Sequence, residues 1–196
     1  MWNNHKITLA SASPRRRELL EGLDIPFTVE PGKDEKEVYT ADTPWQEVPE
    51  FLARHKSESF HRALESEEIL ITADTLVFLP EGDGSMRILG KPADRDEAVA
   101  MLGELCGKTH YVLTGVCLRS IDKTVSFTDT TEVDVDALSE SEIEYYVDRY
   151  RPYDKAGAYG VQEWFGLASI GTIRGSFYNV MGLPVSKLYE ALKTFA

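Results

Sequence analysis

The stretch Ile7-Thr8-Leu9-Ala10-Ser11-Ala12-Ser13-Pro14-Arg15-Arg16 decides the fold class, because an apolar run of strand length leads directly into a helix start. Ser13 is a favourable N-cap residue and Pro14 suits the first helical position, so we predict a strand over residues 7–10 and a helix from about Pro14 to Glu21. Free backbone N–H groups and the positive end of the helix dipole attract an anion to such a junction. The stretch therefore predicts an α/β protein with an anion site.

Three successive arginines, Arg15, Arg16 and Arg17, follow this helix start. Cations in the first helical turn oppose the helix dipole, so they destabilise the helix unless a negative group lies beside them. Two interpretations stay open: the arginines bind the phosphates of a ligand, or they only pair with surface carboxylates. We predict that Ser13, Arg15 and Arg16 contact phosphate, and we predict no role for Arg17.

The remaining sequence alternates short strand-like runs with helical patterns, which is typical of α/β proteins. Further strands are predicted over residues 27–30, 69–72, 76–79, 86–89, 111–119 and 124–135, and helices over about 45–65, 94–107, 139–150 and 184–195. Parallel and antiparallel pairing are both expected. The predicted fold is a mixed central sheet flanked by helices, in one domain over residues 1–196.

The formal net charge of −12 argues against a general nucleic-acid-binding protein, because such proteins neutralise many phosphates with excess Lys and Arg. A phosphate-bearing ligand must then meet a local basic cluster. The apolar run near the N-terminus is too short for a signal peptide core or a membrane span, so we expect a cytoplasmic protein that does not bind membranes. The four histidines and two cysteines lack zinc-type spacing and are expected to be structural, surface or inert groups.

Asp74 interrupts an apolar run, where a carboxylate is costly to bury unless it binds a metal, a cation or a reactive water. We predict that Asp74 is a general base or metal ligand. The hydroxyl of the neighbouring Thr75 can orient a ligand. The alternative is that the Asp-Thr pair marks a bulge or turn.

Two lysines and a glutamine complete the candidate substrate contacts. Lys91 lies between a glycine and a proline in Gly90-Lys91-Pro92, which presets it for a phosphate. Lys56 is either a second phosphate contact or a solvated helix lysine. Gln162 ends a stretch of small residues, and its amide can donate and accept hydrogen bonds in one plane, as a nucleobase edge requires.

The acidic stretch Asp34-Glu35-Lys36-Glu37 contains a second candidate metal ligand, Glu35. Mg²⁺ prefers oxygen ligands, commonly one or two carboxylates plus phosphate oxygens, so an Asp74/Glu35 pair would suffice. The alternative is that this charge run is only a solvated face. Walker-type, Gly-x-Ser-x-Gly and Gly-x-Gly-x-x-Gly motifs do not occur, which argues against kinase-type NTPases, serine hydrolases and Rossmann oxidoreductases.

Five motifs in order along the chain resemble the Maf family. They are LASASPRRRELL at 9–20, ADT at 73–75, GKP at 90–92, DKAGAYGVQ at 154–162 and NVMGLPVSKL at 179–188. The resemblance implies an inosine triphosphate pyrophosphatase-like fold, with two lobes around a cleft. It also implies hydrolysis of nucleoside triphosphates to the monophosphate and pyrophosphate with a divalent cation, Mg²⁺ or Mn²⁺.

The resemblance further implies roles for single residues. The family's acidic catalytic residue maps onto Asp74, and the residues tied to base choice in its dTTP/UTP branch map onto Arg15, Thr75 and Gln162. The family commonly has glycine after this glutamine, whereas this chain has Glu163-Trp164-Phe165, so the wall near the base is expected to differ.

Three functions stay open at this point. The first is a house-cleaning pyrophosphatase for dTTP and UTP. The second is a pyrophosphatase for modified or other nucleotides, such as 7-methyl-GTP. The third is a nucleotide-binding regulator of cell division. A homodimer is a further expectation from the resemblance.

Overall fold

The computed structural model of the chain describes residues 5–32, 39 and 43–195. Within them, the strands are β1 (Lys6–Leu9), β2 (Phe27–Val29), β3 (Glu68–Pro80), β4 (Met86–Leu89), β5 (Thr109–Arg119), β6 (Thr124–Val135) and β7 (Ile170–Arg174). The α-helices are α1 (Pro14–Glu21), α2 (Val48–Glu58), α3 (Arg95–Leu105), α4 (Glu140–Tyr150), α5 (Trp164–Ser169), α6 (Phe177–Met181) and α7 (Val185–Lys193). A short 3-10 helix covers Ala156–Ala158. In this described part of the chain, no helix is long and apolar enough to cross a membrane.

The strands form one mixed sheet in the order β2-β1-β3-β5-β6-β7, and β4 pairs with β3. β1 runs parallel to β2 and β3, in a register that places Leu9 beside Val29 and Ile71. β4 and β7 pair antiparallel with β3 and β6. The N–H of Ser120 donates to the carbonyl of Lys123 at 2.8 Å in the turn between β5 and β6, and so short a connection requires antiparallel neighbours. The predicted mixed α/β fold is confirmed.

The chain divides into two compact units, in agreement with the expected two lobes. Unit 1 comprises the described residues within 1–74, 114–129 and 182–196. In it, α2 packs so closely on β5 that a side chain at Gly115 would overlap the backbone of Pro49. The buried apolar side chains of unit 1 include Ile7, Leu9, Leu20, Leu52, Ile69, Ile71, Val116 and Leu188. The cleft between lobes and the single domain over residues 1–196 stay predictions.

Unit 2 comprises residues 75–113 and 130–181. It has its own apolar core, which includes Val77, Leu79, Leu102, Val133, Tyr146 and Phe165. The fully buried Asn179 donates from Nδ2 to the carbonyl of Val112 and to Oγ1 of Thr131, both at 2.9 Å. These bonds replace the water that the buried amide loses on folding.

The predicted helix starts are confirmed by their caps. The Ser13 hydroxyl accepts from the N–H of Arg16 at the start of α1. Asp94 accepts from the N–H of Glu97 at 2.9 Å at the start of α3. Before α4, a capping box joins Ser139 and its third helical residue. These contacts lie within four residues of each cap, which is why the sequence predicts them.

The alternative of a turn at Asp74-Thr75 is wrong, whereas the expected continuation of the apolar run over residues 76–79 is confirmed. Residues 68–80 form one continuous strand, with Asp74 in its interior. A buried carboxylate needs a partner, and an ion pair with Lys56 supplies it. The strand therefore continues through a position that its apolar pattern alone appeared to interrupt.

The helix predicted over residues 45–65 is shorter, since α2 spans Val48–Glu58. Arg62 lies beyond its end and binds the carboxylates of Glu30 and Glu68, both at 2.7 Å. These partners lie outside the helix, so tertiary contacts override the helical pattern. The short elements α5, β7 and α6 were not predicted, because the sequence around them is rich in Gly and small residues.

Candidate active site

The junction between β1 and α1 forms one edge of the candidate site in unit 1. The hydroxyl of the buried Ser11 accepts from the N–H of Ser13 at 3.2 Å. Ser13 in turn caps α1 and accepts from the N–H of Arg16 at 3.4 Å. The first turn of α1 contains no acidic residue, so the positive end of this helix is not neutralised from within. This geometry suits a phosphate, as the sequence predicted.

Arg16 links this junction to a distant part of unit 1. Its Nε donates to the carbonyl of Gly182 at 2.9 Å, and Nη1 lies 3.5 Å from Oγ of Ser11. Burial lowers the pKa of the Arg16 guanidinium, the negative charge of Asp74 opposes that shift, and Arg15 adds to it. Arginine stays protonated in proteins, so Arg16 brings a fixed positive charge near Asp74.

Arg17 differs from its neighbour. Its side chain is exposed, and Nε pairs with Glu21 one helical turn later at 2.8 Å. Pairing with surface carboxylates therefore accounts for Arg17, for which no role was predicted. Arg15 and Arg16 are half-buried, and these two remain the candidates for phosphate binding.

Asp74 is the acidic group of the site. It is only 4 % exposed, and Lys56 from α2 forms an ion pair with its Oδ1. Its other oxygen, Oδ2, is buried with no hydrogen-bond partner among the described residues. A buried carboxylate oxygen without a partner is costly, which indicates an acceptor for a cation or a polar ligand.

The parallel pairing of β1 and β3 brings the two parts of the site together. The N–H of Ala10 donates to the carbonyl of Ile71 at 2.9 Å, which extends the ladder to the end of β1. Ser13 lies just after Ala10 in the segment from β1 to α1, and Asp74 lies just after Ile71 in β3. Ligands of α/β proteins commonly bind where parallel strands end and helices begin. The register thus places the acidic group and the anion site at the same edge of unit 1.

The residues present fit a divalent cation. Asp74 offers a hard carboxylate oxygen, and Mg²⁺ sites commonly use one or two carboxylates and leave the other positions to phosphate and water. The described residues contain no group of three or more His, Cys, Asp or Glu side chains suited to a metal. Glu35, the predicted second ligand, lies outside the described residues.

Unit 2 contains the other predicted contacts. Thr75 is the residue after Asp74 in β3 and is half-buried, whereas Lys91 and Gln162 are exposed. The N–H of Gly157 donates to the carbonyl of Gly90 at 3.0 Å. This bond brings the loop of Lys91 beside the segment that leads to Gln162.

Comparison with known proteins agrees with this geometry. The family model described as "Maf-like protein" matches residues 6–195. The chain belongs to the Maf family. A protein of Bacteroides thetaiotaomicron named dTTP/UTP pyrophosphatase is 50% identical over 191 residues, covering 97% of this chain and 96% of the relative. Proteins with the same name from Porphyromonas gingivalis W83 and Flavobacterium psychrophilum are 50% and 44% identical, covering 97% and 96% of this chain and 94% and 93% of the relatives.

Sequence reasoning missed a cluster around Gln162 in this Maf chain. Glu163 joins Lys155 and Tyr146, with Lys155 Nζ at 3.1 Å and the Tyr146 hydroxyl at 2.5 Å from its two oxygens. Glu163 stood out only as a departure from the family pattern. Tyr146 carried no signal, because an aromatic residue on the apolar face of α4 is ordinary core.

The histidines have structural surroundings. His110 is fully buried, and its Nε2 lies 2.8 Å from the hydroxyl of Tyr159. Burial lowers the pKa of His110 to about 4, so the ring is neutral at physiological pH. His5 and His61 lie 3.6 and 2.8 Å from Glu67 and Glu30.

The cysteines behave as free thiols. Cys117 is buried and Cys106 half-buried, and burial raises the pKa of both thiols. A raised pKa leaves less of the reactive thiolate, in agreement with the prediction that they are inert.

Proposed function

We propose that this protein hydrolyses dTTP and UTP to the nucleoside monophosphate and pyrophosphate. The observation that carries the proposal is the Asp74 carboxylate, buried with one open oxygen beside a helix N-terminus and Arg16, in a chain of the Maf family. The names of its relatives supply the substrate class.

The junction and its cations would bind the triphosphate. The positive end of the α1 dipole suits phosphate oxygens, as does the half-buried guanidinium of Arg16. Arg15 lies in the same turn. Lys56, which pairs with Asp74, would also contact phosphate. Together these charges would stabilise the negative charge that develops on the phosphate oxygens in the transition state.

Asp74 would have two tasks. Its carboxylate, together with Glu35, would hold Mg²⁺ or Mn²⁺, which when bound polarises the phosphate oxygens. The same carboxylate would accept a proton from the attacking water. Water oxygen then bonds to the α-phosphorus, and the bond from the α-phosphorus to its bridging oxygen breaks, so pyrophosphate leaves. Lys56 would orient the carboxylate for this step through their ion pair.

Three residues of unit 2 are proposed to contact the same substrate. Lys91 would bind phosphate, and its position between Gly90 and Pro92 limits the directions it can take. Thr75 and Gln162 would act in base choice together with Arg15. The amide of Gln162 can pair with the N3–H donor and the carbonyl acceptor of uracil or thymine.

The decisive experiment is a substrate panel with the purified protein and Mg²⁺ or Mn²⁺, in which pyrophosphate and phosphate are measured separately. We expect pyrophosphate from dTTP and UTP, and loss of activity with EDTA. Faster hydrolysis of 7-methyl-GTP or GTP would favour the second function. Binding of nucleotide without pyrophosphate release would favour a regulator. Phosphate in place of pyrophosphate would contradict attack at the α-phosphorus.

A further inference from the structure

Gln162 lies in a tight turn of unit 2 that precedes α5. The N–H of Glu163 donates to the carbonyl of Gly160 at 3.0 Å and closes the turn. Val161 and Gln162 occupy its two central positions. Val161 is 5% exposed and packs into the core of the unit, whereas Gln162 is exposed. The turn therefore buries the side chain of Val161 in the core and exposes that of Gln162 to solvent.

Both ends of this turn bind the same phenol. The N–H of Gly160 donates to the hydroxyl oxygen of Tyr146 at 3.0 Å. The hydroxyl hydrogen of Tyr146 is donated to Oε2 of Glu163 at 2.5 Å. One hydroxyl thus accepts from the first residue of the turn and donates to the last.

The second oxygen of Glu163 is also held. Nζ of Lys155 lies 3.1 Å from Oε1, and the Lys155 side chain is 9% exposed. Lys155 also pairs with Asp154 at 2.9 Å. Burying a lysine and a carboxylate costs desolvation energy that an apolar pair would avoid, so the cluster is poorly explained by stability alone.

The phenol is itself fixed. Tyr146 is fully buried, and its ring lies 5.5 Å from that of Phe165 and 5.1 Å from that of Tyr150, between ring centroids. Burial raises the pKa of Tyr146, and the hydrogen bond to Glu163 raises it further. The hydroxyl therefore stays protonated and keeps its role as a donor across the physiological pH range.

A side chain at Gly160, where the turn begins, would displace Glu163. A Cβ at Gly160 would lie 2.7 Å from Cδ of Glu163, closer than real contacts allow. Since Glu163 is held at both oxygens, it cannot move aside without losing Tyr146 or Lys155. Gly160 and Glu163 are therefore matched to each other.

We propose that Tyr146, Glu163 and Lys155 are positioning residues that fix the turn of Gln162 for selection of a pyrimidine with an N3–H donor and a carbonyl acceptor. This rests on the proposed function. A glutamine amide can rotate to offer its donor and acceptor in the opposite order, which would suit cytosine. A rigid turn does not stop this rotation, but it fixes the Cα–Cβ direction of Gln162 and so the place where the amide meets the base edge. A loosened turn would let the amide shift to fit either base, so the preference for dTTP and UTP over CTP would fall.

The first test compares Tyr146→Phe with Tyr145→Phe, which removes a hydroxyl from the neighbouring, half-exposed ring. We expect Tyr146→Phe to reduce the ratio of kcat/KM for dTTP over CTP by about tenfold, mainly through KM for dTTP. Hydrogen exchange at the amides of residues 160–163 should accelerate in the free protein. Tyr145→Phe should change neither quantity.

The second test is a double-mutant cycle. Gly160→Ala should lower the dTTP/CTP ratio in the wild-type background and have little further effect in Glu163→Ala, because the clash partner is gone. Additive effects would overturn the matched pair. Should Tyr146→Phe fail to fold, Glu163→Gln keeps both measurements possible.

Two further outcomes separate this inference from the proposed function. A wild-type protein that releases no pyrophosphate overturns the proposed function, while amide exchange in the free protein still tests whether the cluster fixes the turn. Faster exchange throughout unit 2 with an unchanged dTTP/CTP ratio would assign the cluster to stability and overturn the positioning role.

Discussion

Lys56 donates to one oxygen of Asp74, while the other oxygen of the same carboxylate is buried with no hydrogen-bond partner among the described residues. The lysine lies on α2 and the aspartate in the interior of β3, 18 residues later. Lys56 thereby compensates the burial of a charge that would otherwise be too costly at this position. Lys56 binds Oδ1 of Asp74, so Oδ2 is the oxygen proposed to bind a cation or to accept a proton from water.

Asp74→Asn should reduce kcat by about 10²–10⁴-fold, because an amide neither accepts the proton of water nor binds a cation strongly. The fold should persist, since Asn is isosteric and Lys56 can turn to solvent. Asp129→Asn is the matched control, as it removes another buried acid of unit 1 that pairs with a lysine, Lys187. For both variants, steady-state pyrophosphate release measures turnover and thermal melting measures whether the fold persists. Near wild-type turnover in Asp74→Asn would remove this residue from the mechanism.

Lys56→Met should lower kcat/KM by about 10–10³-fold, since the site loses a charge that we propose to bind phosphate and to orient Asp74. Lys187→Met removes the lysine from another buried acidic pair of unit 1 and should leave kcat/KM unchanged. Kinetics with dTTP measure the effect. Equal losses in the two variants would mean that Lys56 acts only through stability.

Arg16→Ala and Arg17→Ala separate the two arginines. Arg16 is half-buried and bonded to the carbonyl of Gly182, so its loss should raise KM for the triphosphate and lower the melting temperature. Arg17 only forms an exposed pair with Glu21, which is worth at most about 1 kcal/mol. Arg17→Ala should therefore be close to wild type in both measurements. A larger rise in KM for Arg17→Ala than for Arg16→Ala would show that Arg17, and not Arg16, binds the triphosphate.

Glu68→Gln should destabilise the protein at neutral pH and make it less sensitive to acid. Glu68 is fully buried, and hydrogen bonds from Arg62 lower its pKa to about 2. Its ionised form stabilises the fold above the unfolded-state pKa near 4.5, and that stabilisation is lost as pH falls towards 2. We expect a loss on the order of 2 kcal/mol at pH 7, measured by urea unfolding, which shrinks below pH 4. Glu65→Gln, at an exposed neighbour, should change little.

His110→Gln should remove a different part of the pH dependence of the unfolding free energy. The folded-state pKa of His110 is about 4, below the ordinary histidine value of 6.5, because the ring is buried. Between these values the unfolded chain binds a proton that the folded chain does not, so stability falls as pH decreases from 6.5 to 4, by up to about 3 kcal/mol. Urea unfolding across this range should show a shallower slope for His110→Gln than for the wild type.

The start of α1 was predictable because its determinants are local. Ser13, Pro14 and the preceding apolar run specify a strand, a cap and a first helical turn without any distant contact. The α3 and α4 caps were predictable for the same reason. The motif order also identified the family, since it depends only on which residues follow one another.

The end of α2 could not be predicted, and neither could the cation that pairs with Asp74 inside β3. Arg62 leaves the helical pattern to bind Glu30 and Glu68, and Asp74 stays within a strand because Lys56 compensates its charge. Each partner is chosen by packing between elements, which periodicity does not encode. A sequence pattern marks a costly carboxylate but not the cation that makes it tolerable.

The sequence by itself determined the α/β class, and it predicted a phosphate site at the β1–α1 junction with Arg16 and Asp74 as candidate residues. Only the tertiary structure decided which arginine is exposed, which oxygen of Asp74 is open, and that one phenol, Tyr146, holds both ends of the turn containing Gln162. Capping and strand formation depend on neighbouring residues. Hydrogen-bond partners of buried groups depend on which distant segments the core brings together.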